Sequence, residues 1–468
     1  MLYFLHWTVI IRRPRLIWTT PCEVHRRILG SQTYFPCVHC YLLCNLKFSA
    51  LPKTIFTAFS ISATMILIVG AGIAGVTLAR SLESKDIPFR LFDQQTEYKS
   101  QGFGLTLRED TTAKLLPLLG LEEQDFRTRV AVDRKQGLSN SFLANTVTGE
   151  RFGAGAFKAG YATKDFRTNR GRLRGTIMAS VKVEYGHKLK SFSSTTSGVK
   201  VVFENGVKVQ GDVLVAADGV HSLIRETLLP HCVPQDWDGV MINGSCRFSL
   251  PEWDAKIKPA IGDSTVYPGF GENMVLACTI YDASWDPVSG YVDVSWGYSR
   301  RRRGDDDPLF VSFTDRSFDK SRAPEAFWEE VETLPNGLVQ PFKTIFDELG
   351  VRRDRTIHHQ LVSLLIPKKD LLAKLKEEKV VFIGDAVHNW SNHAGTAGNA
   401  AIQDALALGK VLAEQKGLEE YYDERYPGWL KSFERNGADF QVMHRPMREW
   451  RELLDRQRTE AVKSAERL

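Results

Sequence analysis

Gly70, Gly72 and Gly75, in the run Gly70-Ala-Gly72-Ile-Ala-Gly75, have the spacing of a turn that holds a pyrophosphate. Gly70 permits the tight turn, Gly72 lets a phosphate approach the backbone, and Gly75 lets the next helix pack close on the preceding strand. The anion then sits at the positive end of that helix. The continuous apolar run Met65 to Val69 predicts a buried parallel strand, and Val76 to Ser84, with Leu78, Ala79 and Leu82 for an inner face, predicts the helix. A second strand over Phe89–Asp93 ends in a carboxylate 23 residues after Gly70, where an acid can accept hydrogen bonds from a ribose diol. A lone glycine fingerprint also occurs in unrelated turns. With its strand, its helix and Asp93, it points to a bound dinucleotide, FAD or NAD.

Two further strand ends carry acids. Asp212-Val-Leu-Val-Ala-Ala-Asp218-Gly219 follows the hairpin signal Glu204-Asn205-Gly206 and precedes Ser222 and Arg225. Val380-Val-Phe-Ile-Gly384-Asp385-Ala-Val-His388 is another apolar strand, closing on Gly-Asp. Either alone reads equally well as an ordinary strand end. Taken in order with the fingerprint, they resemble the class A flavoprotein monooxygenases, the p-hydroxybenzoate hydroxylase-like group that includes many fungal natural-product hydroxylases and epoxidases. The resemblance covers almost all of residues 65 to 440.

That resemblance implies FAD as the bound cofactor, with NADPH or NADH as co-substrate. It assigns the ribityl chain to Asp385 and a joint role in FAD and nicotinamide docking to Asp218 and Gly219. Arg170-Gly-Arg-Leu173 matches the family's Arg-x-x-Leu at a helix head, so Arg170 is expected at the flavin or its phosphates. Leu173 and Ile177, four apart, would anchor that helix in the core, while Arg172 and Arg174 are expected to point to solvent. Gln101-Gly-Phe-Gly104-Leu-Thr-Leu107 is similar to the loop that passes along the isoalloxazine, and Gly104 is the residue expected to touch the ring through its backbone. Gly395-Thr-Ala-Gly398-Asn399 leads into an apolar helix over Ala400–Leu408, whose first amides could hold negative charge on the reduced ring. The family often has Pro, Gly and Glu where this chain has Asn392, Ala397 and Gln403. These departures bear on ring placement more than on FAD binding.

The elements that must position these residues form an α/β fold: a Rossmann-like FAD-binding domain of the GR2 type, an inserted antiparallel-sheet substrate domain, and C-terminal helices. The expected boundaries are 65–230 and 345–415 for FAD binding, 231–344 for the sheet, and 416–468 for the helices. Val292, Val294, Trp296 and Tyr298 alternate on one strand face. Tyr267, Phe270, Trp296 and Tyr298 are read as sheet core or as pocket lining, with core the better reading for any one of them. Arg300 to Arg303 with Asp305 to Asp307 reads as a solvated, self-neutralising turn, and a phosphate role is the alternative.

A chain of 468 residues, 43% hydrophobic and 25% charged, is long enough for two connected domains with real cores. Its net charge of +5 is concentrated at one end, because residues 1–64 carry seven Lys and Arg against Glu23 alone. The remainder is close to neutral, which gives no electrostatic case for nucleic acid. Residues 1–64 read as an extension outside the working fold: a targeting segment, or a stretch upstream of a start at Met65. Thr54 to Ala79 lacks charge, but a membrane span there would bury the glycine fingerprint in lipid, so none is expected. Cys37, Cys40 and Cys44 lack a second ligand pair, and no metal site is expected. The sparse cysteines suit a reducing compartment, hence a cytoplasmic protein, with mitochondrial targeting left open. A monomer or homodimer is expected. The function implied is oxygen insertion into a small aromatic or polyketide- or terpenoid-type substrate. An FAD oxidase or dehydrogenase is the alternative, and no catalytic side chain is named.

Overall fold

The computed structural model describes residues 64–99, 103–135, 137, 143–152, 164–334, 337–348, 356–390 and 395–465. The expectations for residues 1–63, Gln101 and Asn392 therefore lie outside the described residues. Everything described belongs to one compact unit that begins at Ile61.

The apolar run 66–69 forms the centre of a five-stranded sheet. Its strand order is Val380–Phe382, Val213–Ala216, Ile66–Val69, Phe89–Phe92, Val183–Glu184, and all neighbours are parallel. Ile66, Leu67, Ile68 and Val69 are buried in succession because helix Ile73–Glu83 packs on the sheet and so does a three-stranded antiparallel sheet of Leu189–Thr195, Gly198–Phe203 and Lys208–Gly211, with the Phe203 ring 4.6 Å from Phe92. Helix Ile73–Glu83 leaves the first strand and packs on helix Ala397–Ala413. The carboxyl ends of three neighbouring strands thus deliver Gly70, Asp218 and Asp385 to one edge of the sheet. In open α/β sheets that edge is where ligands bind.

The second sheet has seven strands in the order Thr356–His359, Gly239–Ser249, Tyr291–Arg301, Met274–Ser284, Val266–Gly271, Leu143–Asn145, Arg151–Phe152. Its pairings are antiparallel except that of Val266–Gly271 with Leu143–Asn145. Strands from outside residues 231–344 complete it at both edges. The alternating face behaves as core: Tyr267, Trp296 and Tyr298 are buried, and Trp296 stacks on Phe327 of helix Glu325–Glu332 with centroids 6.0 Å apart. Phe270 stacks on Trp450 at 4.3 Å. The polar positions between them are covered too, since Asp293, Ser295 and Ser299 are also buried.

The run at 300–307 is solvated over its middle, where Arg301, Arg303, Asp305 and Asp306 are exposed and Arg302 pairs with Asp305, but its two ends correct the expectation. Arg300 is 3% exposed, and it donates to Asp307 at 2.6 and 2.9 Å and to Glu330 at 2.7 and 3.0 Å. Burial opposes the charge on Asp307, but the Arg300 guanidinium overcomes it and holds the carboxyl well below its ordinary range. A buried guanidinium with two carboxylates satisfies itself, whereas an unpaired one could not be desolvated. Arg303 extends the group to Glu330 from the surface.

Helix Glu419–Met443 touches both sheets' surroundings. Tyr421, Tyr422 and Trp429 pack into the core around the parallel sheet, and Phe440 closes on Trp237 and Gly239 beside the second. A Cβ on Gly239 would stand 2.3 Å from the Phe440 ring, so that packing requires glycine. Helix Met447–Ala465 follows. Among the described residues no helix is long and apolar enough to cross a membrane.

Candidate functional site

The fingerprint glycines divide the expected labour. Gly70 has φ +105°, and a Cβ there would lie 2.2 Å from the Ala217 carbonyl oxygen. A Cβ on Gly75 would lie 1.9 Å from the Gly70 carbonyl oxygen, so the helix start rests on the turn itself. A Cβ on Gly72 would meet nothing within 4 Å, so the helix start is open at that point. Asp93 holds the turn itself: its Oδ2 accepts from Ala71 N at 2.8 Å and its Oδ1 from Gln95 N at 2.8 Å. The acid pins the turn while keeping lone pairs at a half-buried position.

The Asp-Gly motif ends strand Val213–Ala216. Gly219 has φ +84° and open space where a side chain would be. Asp218 has an Oδ1 that is buried without a hydrogen-bond partner, and burial pushes its carboxyl up to about 6 against a hydrogen bond from Ser222. Ser222 caps helix Leu223–Leu228 by accepting from Arg225 N at 3.1 Å. Arg225 is fully buried. It donates to Val220 O at 2.6 Å and Ala386 O at 3.4 Å, tying the Asp-Gly turn to the Gly-Asp turn.

The Gly-Asp motif stands on a single turn of 3-10 helix over Gly384–Ala386. Asp385 makes no hydrogen bond or ion pair among the described residues, and its position is half-buried. Burial raises its carboxyl above the ordinary value, against the pull of His388 and Arg170. Arg170 opens helix Arg170–Met178, whose N-cap Asn169 accepts from Arg172 N at 2.9 Å. Its pKa is lowered by burial while Asp385 raises it, so the arginine and the carboxylate feel one another across the site. Leu173 and Ile177 are fully buried and anchor the helix as their spacing required.

Gly104, Gly395 and Gly398 lie in segments packed against one another. Gly104 pairs with Asn169 at the end of a two-stranded ladder, and a Cβ on it would stand 2.5 Å from the Arg167 guanidinium. What lies against this glycine among the described residues is Arg167. A Cβ on Gly398 would press on Leu105 at 2.8 Å, which makes it a packing glycine, whereas Gly395, at φ +60°, has Thr106 no closer than 3.9 Å. Asn399 holds the two segments together. Its Oδ1 accepts from Arg108 N at 2.9 Å, and its Nδ2 donates to Thr106 O at 2.8 Å and Gly395 O at 3.1 Å. Gln403 donates to Thr111 Oγ1 at 2.8 Å and Asp110 Oδ2 at 3.1 Å, fixing the same helix from its next turn.

Arg172 and Arg174 correct the expectation that they point to solvent. Arg172 pairs with Asp282 of strand Met274–Ser284 and donates to Ala131 O, while Arg174 lies 5.0 Å over the Tyr98 ring. The helix that carries Arg170 is therefore gripped on both sides. Asp404 was missed altogether. It is a fully buried acid in helix Ala397–Ala413 that accepts from Gly384 N, His388 Nε2, Arg425 Nε and Trp429 Nε1. A single acid inside an apolar helix was its one signal.

The residues present fit an FAD: a pyrophosphate turn with room over Gly72, an acceptor at Asp385 awaiting donors, an orphaned oxygen on Asp218, and a cation at Arg170. Together with the parallel sheet they define a dinucleotide-binding flavoprotein. The family described as FAD binding domain matches residues 63–238 and 343–433. The FAD-dependent monooxygenase vrtH of Penicillium aethiopicum is 31% identical over 410 residues, 85% of this chain and 97% of that one. The FAD-dependent monooxygenase adaC of Aspergillus niger is 31% identical over 413 residues, with the same coverage. Among solved structures, Klebsiella pneumoniae HpxO complexed with FAD and uric acid superposes with a TM-score of 0.63 at 18% identity, covering 85% of this chain and 93% of that one. That likeness speaks for the fold alone. The chain belongs to the FAD-dependent monooxygenase family.

Proposed function

We propose that the protein uses NADPH or NADH and molecular oxygen to hydroxylate or epoxidise a small aromatic or polyketide- or terpenoid-type substrate. One oxygen atom enters the substrate and the other leaves as water, with the nicotinamide supplying two electrons. FAD, when bound, supplies the redox and oxygen chemistry. The functional division follows the two sheets, with FAD served by 65–230 and 345–415, the substrate roof by 231–344, and 416–468 bracing both.

The observation that carries this reading is the Asp385 carboxylate, held at the carboxyl edge of the parallel sheet with no hydrogen-bond donor among the described residues. Ribityl hydroxyls would supply those donors. Gly72 and its helix start would take the pyrophosphate, Asp93 the ribose, and Arg170 the phosphates or ring. Gly104, Gly395 and Gly398 would shape the backbone along the ring, where the first amides of helix Ala397–Ala413 would favour its reduced, anionic form.

A cleft of about 170 Å³ opens beside the Asp-Gly motif, with Val220, His221, Phe313, Lys320 and Trp390 on its walls. His221 stacks flat on Phe313 at 4.7 Å, and its Nδ1 accepts from the Arg316 guanidinium at 2.9 Å. Planar aromatics with cations at the rim support transient docking of a nicotinamide dinucleotide at Asp218 and Gly219. Flavin released by heat and identified by its fluorescence and retention time tests the cofactor. Asp385→Ala should lose most of it. A wild type that stays colourless after incubation with FAD would overturn the reading.

A further inference from the structure

Asp404 grips the turn that presents Asp385 from both of its flanks. Its Oδ2 accepts from Gly384 N, one residue before Asp385, at 3.1 Å, and from His388 Nε2, three residues after it, at 2.7 Å. Its Oδ1 is filled by Arg425 Nε at 2.9 Å and Trp429 Nε1 at 2.8 Å. Four donors saturate one carboxylate, and both Asp404 and His388 have no exposed surface. The imidazole is further clamped by Trp390, stacked at 4.6 Å and 15°, and by Trp429 at 4.9 Å. With Nε2 spent on Asp404, His388 Nδ1 is left buried without a partner among the described residues. A ring this confined, with one nitrogen unsatisfied, is costly unless it serves something.

We propose that the Asp404–His388 pair is a positioning device for FAD, fixing the Gly384–His388 turn so that the Asp385 carboxylate is presented to the ribityl chain. The inference rests on the assignment of FAD to Asp385. The charged groups facing Asp385 are Arg170 from helix Arg170–Met178, His388 from its own turn, and Asp404 from helix Ala397–Ala413. His388 and Arg170 favour its ionisation; burial and Asp404 oppose it. Asp404 itself stays ionised despite burial, because His388 and Arg425 hold its carboxyl below the ordinary range. The histidine thus stands between two acids and compensates both. Without it, the second acid would press Asp385 toward protonation and away from a role as acceptor.

The test is the FAD dissociation constant of reconstituted apoprotein, measured by flavin fluorescence from pH 5 to 8, for wild type, His388→Gln, Asp385→Asn and the double variant. Glutamine keeps a donor for Asp404 but carries no charge. His388→Gln should bind FAD on the order of tenfold more weakly, with affinity falling off at higher pH than in wild type. In the Asp385→Asn background the same change should have little further effect, because its route to the cofactor has been removed. Unchanged affinity and pH profile in His388→Gln would overturn the proposal, as would full additivity in the double variant. If the glutamine variant does not fold, His388→Asn takes its place, and failure of both to fold makes the pair structural and overturns it. A wild type that binds no FAD sinks the cofactor assignment instead, so the two failures are told apart.

Discussion

Arg172 and Asp282 join the flavin-side helix to the second sheet: the guanidinium, two residues after Arg170, pairs with a carboxylate at the irregular step of strand Met274–Ser284. Asn169 reinforces the joint by donating to Tyr281 O at 2.8 Å. The placement of the Arg170 helix against the second sheet is therefore set by Asn169, Arg172 and Asp282. Asp282→Ala should strand a half-buried arginine and cost about 1–3 kcal/mol of stability, read from the urea midpoint. If the joint also sets the roof over the flavin, the variant should divert more nicotinamide oxidation into hydrogen peroxide. Wild-type stability and coupling in that variant would show the joint is incidental.

Gly72 and Gly75 should separate cofactor binding from folding. A methyl group on Gly75 has nowhere to go, 1.9 Å from the Gly70 carbonyl oxygen, so Gly75→Ala should yield little folded protein. On Gly72 it enters open space, so Gly72→Ala should melt as wild-type apoprotein does while binding FAD more weakly. Circular dichroism melting and flavin titration on one preparation decide between them. An alanine at 72 that binds FAD normally would remove the pyrophosphate from this turn.

Asp218 should be a stability cost that function requires. Its folded-state carboxyl, raised to about 6 from 3.8, holds a proton more tightly than the unfolded chain does. The penalty is therefore absent at pH below 3.8, grows as pH rises through the interval, and is complete above 6. Asp218→Asn should stabilise the apoprotein at pH 7.5 by on the order of 2 kcal/mol, lose that advantage toward pH 4, and weaken turnover with the nicotinamide. Equal stabilisation at both pH values would mean the carboxylate's charge is not the source.

Acid should act on three histidines. Burial lowers His358, His359 and His444 to about 4 from 6.5, so each stays neutral in the folded protein while the unfolded chain protonates. Their contribution is fully present above 6.5 and is lost as pH falls toward 4. His444, whose ring bonds Ser299 Oγ at 2.8 Å and Phe440 O at 2.9 Å, ties the long C-terminal helix to the second sheet. His444→Gln should flatten the dependence of the urea midpoint on pH in this window. An unchanged slope would place the acid sensitivity elsewhere.

Much of the site was legible because its physics is local. A strand buried on both faces writes itself as a continuous apolar run, as at 66–69, and the glycines of a pyrophosphate turn must be adjacent in sequence. Asp218 and Asp385 were legible for the same reason, as acids at strand ends. What stayed hidden was pairing across distance. Asp404 finds Arg425 and Trp429 on the next helix, and Arg300 finds Glu330 thirty residues on, so a charge that looks solvated in its own segment is neutralised in the fold. Arg172 escaped similarly, since Asp282 lies 110 residues away. Gly104 shows the converse, for its neighbour Arg167 comes from the paired strand and could not be read from the loop.

The central claim is oxygen insertion, and turnover under oxygen-18 gas tests it most directly. FAD-loaded protein, given NADPH or NADH and a panel of aromatic, polyketide and terpenoid compounds, should accelerate nicotinamide oxidation with its true substrate and yield a product heavier by one labelled oxygen atom. Hydrogen peroxide with an unlabelled, oxidised product from that substrate would contradict the account and make the protein an oxidase.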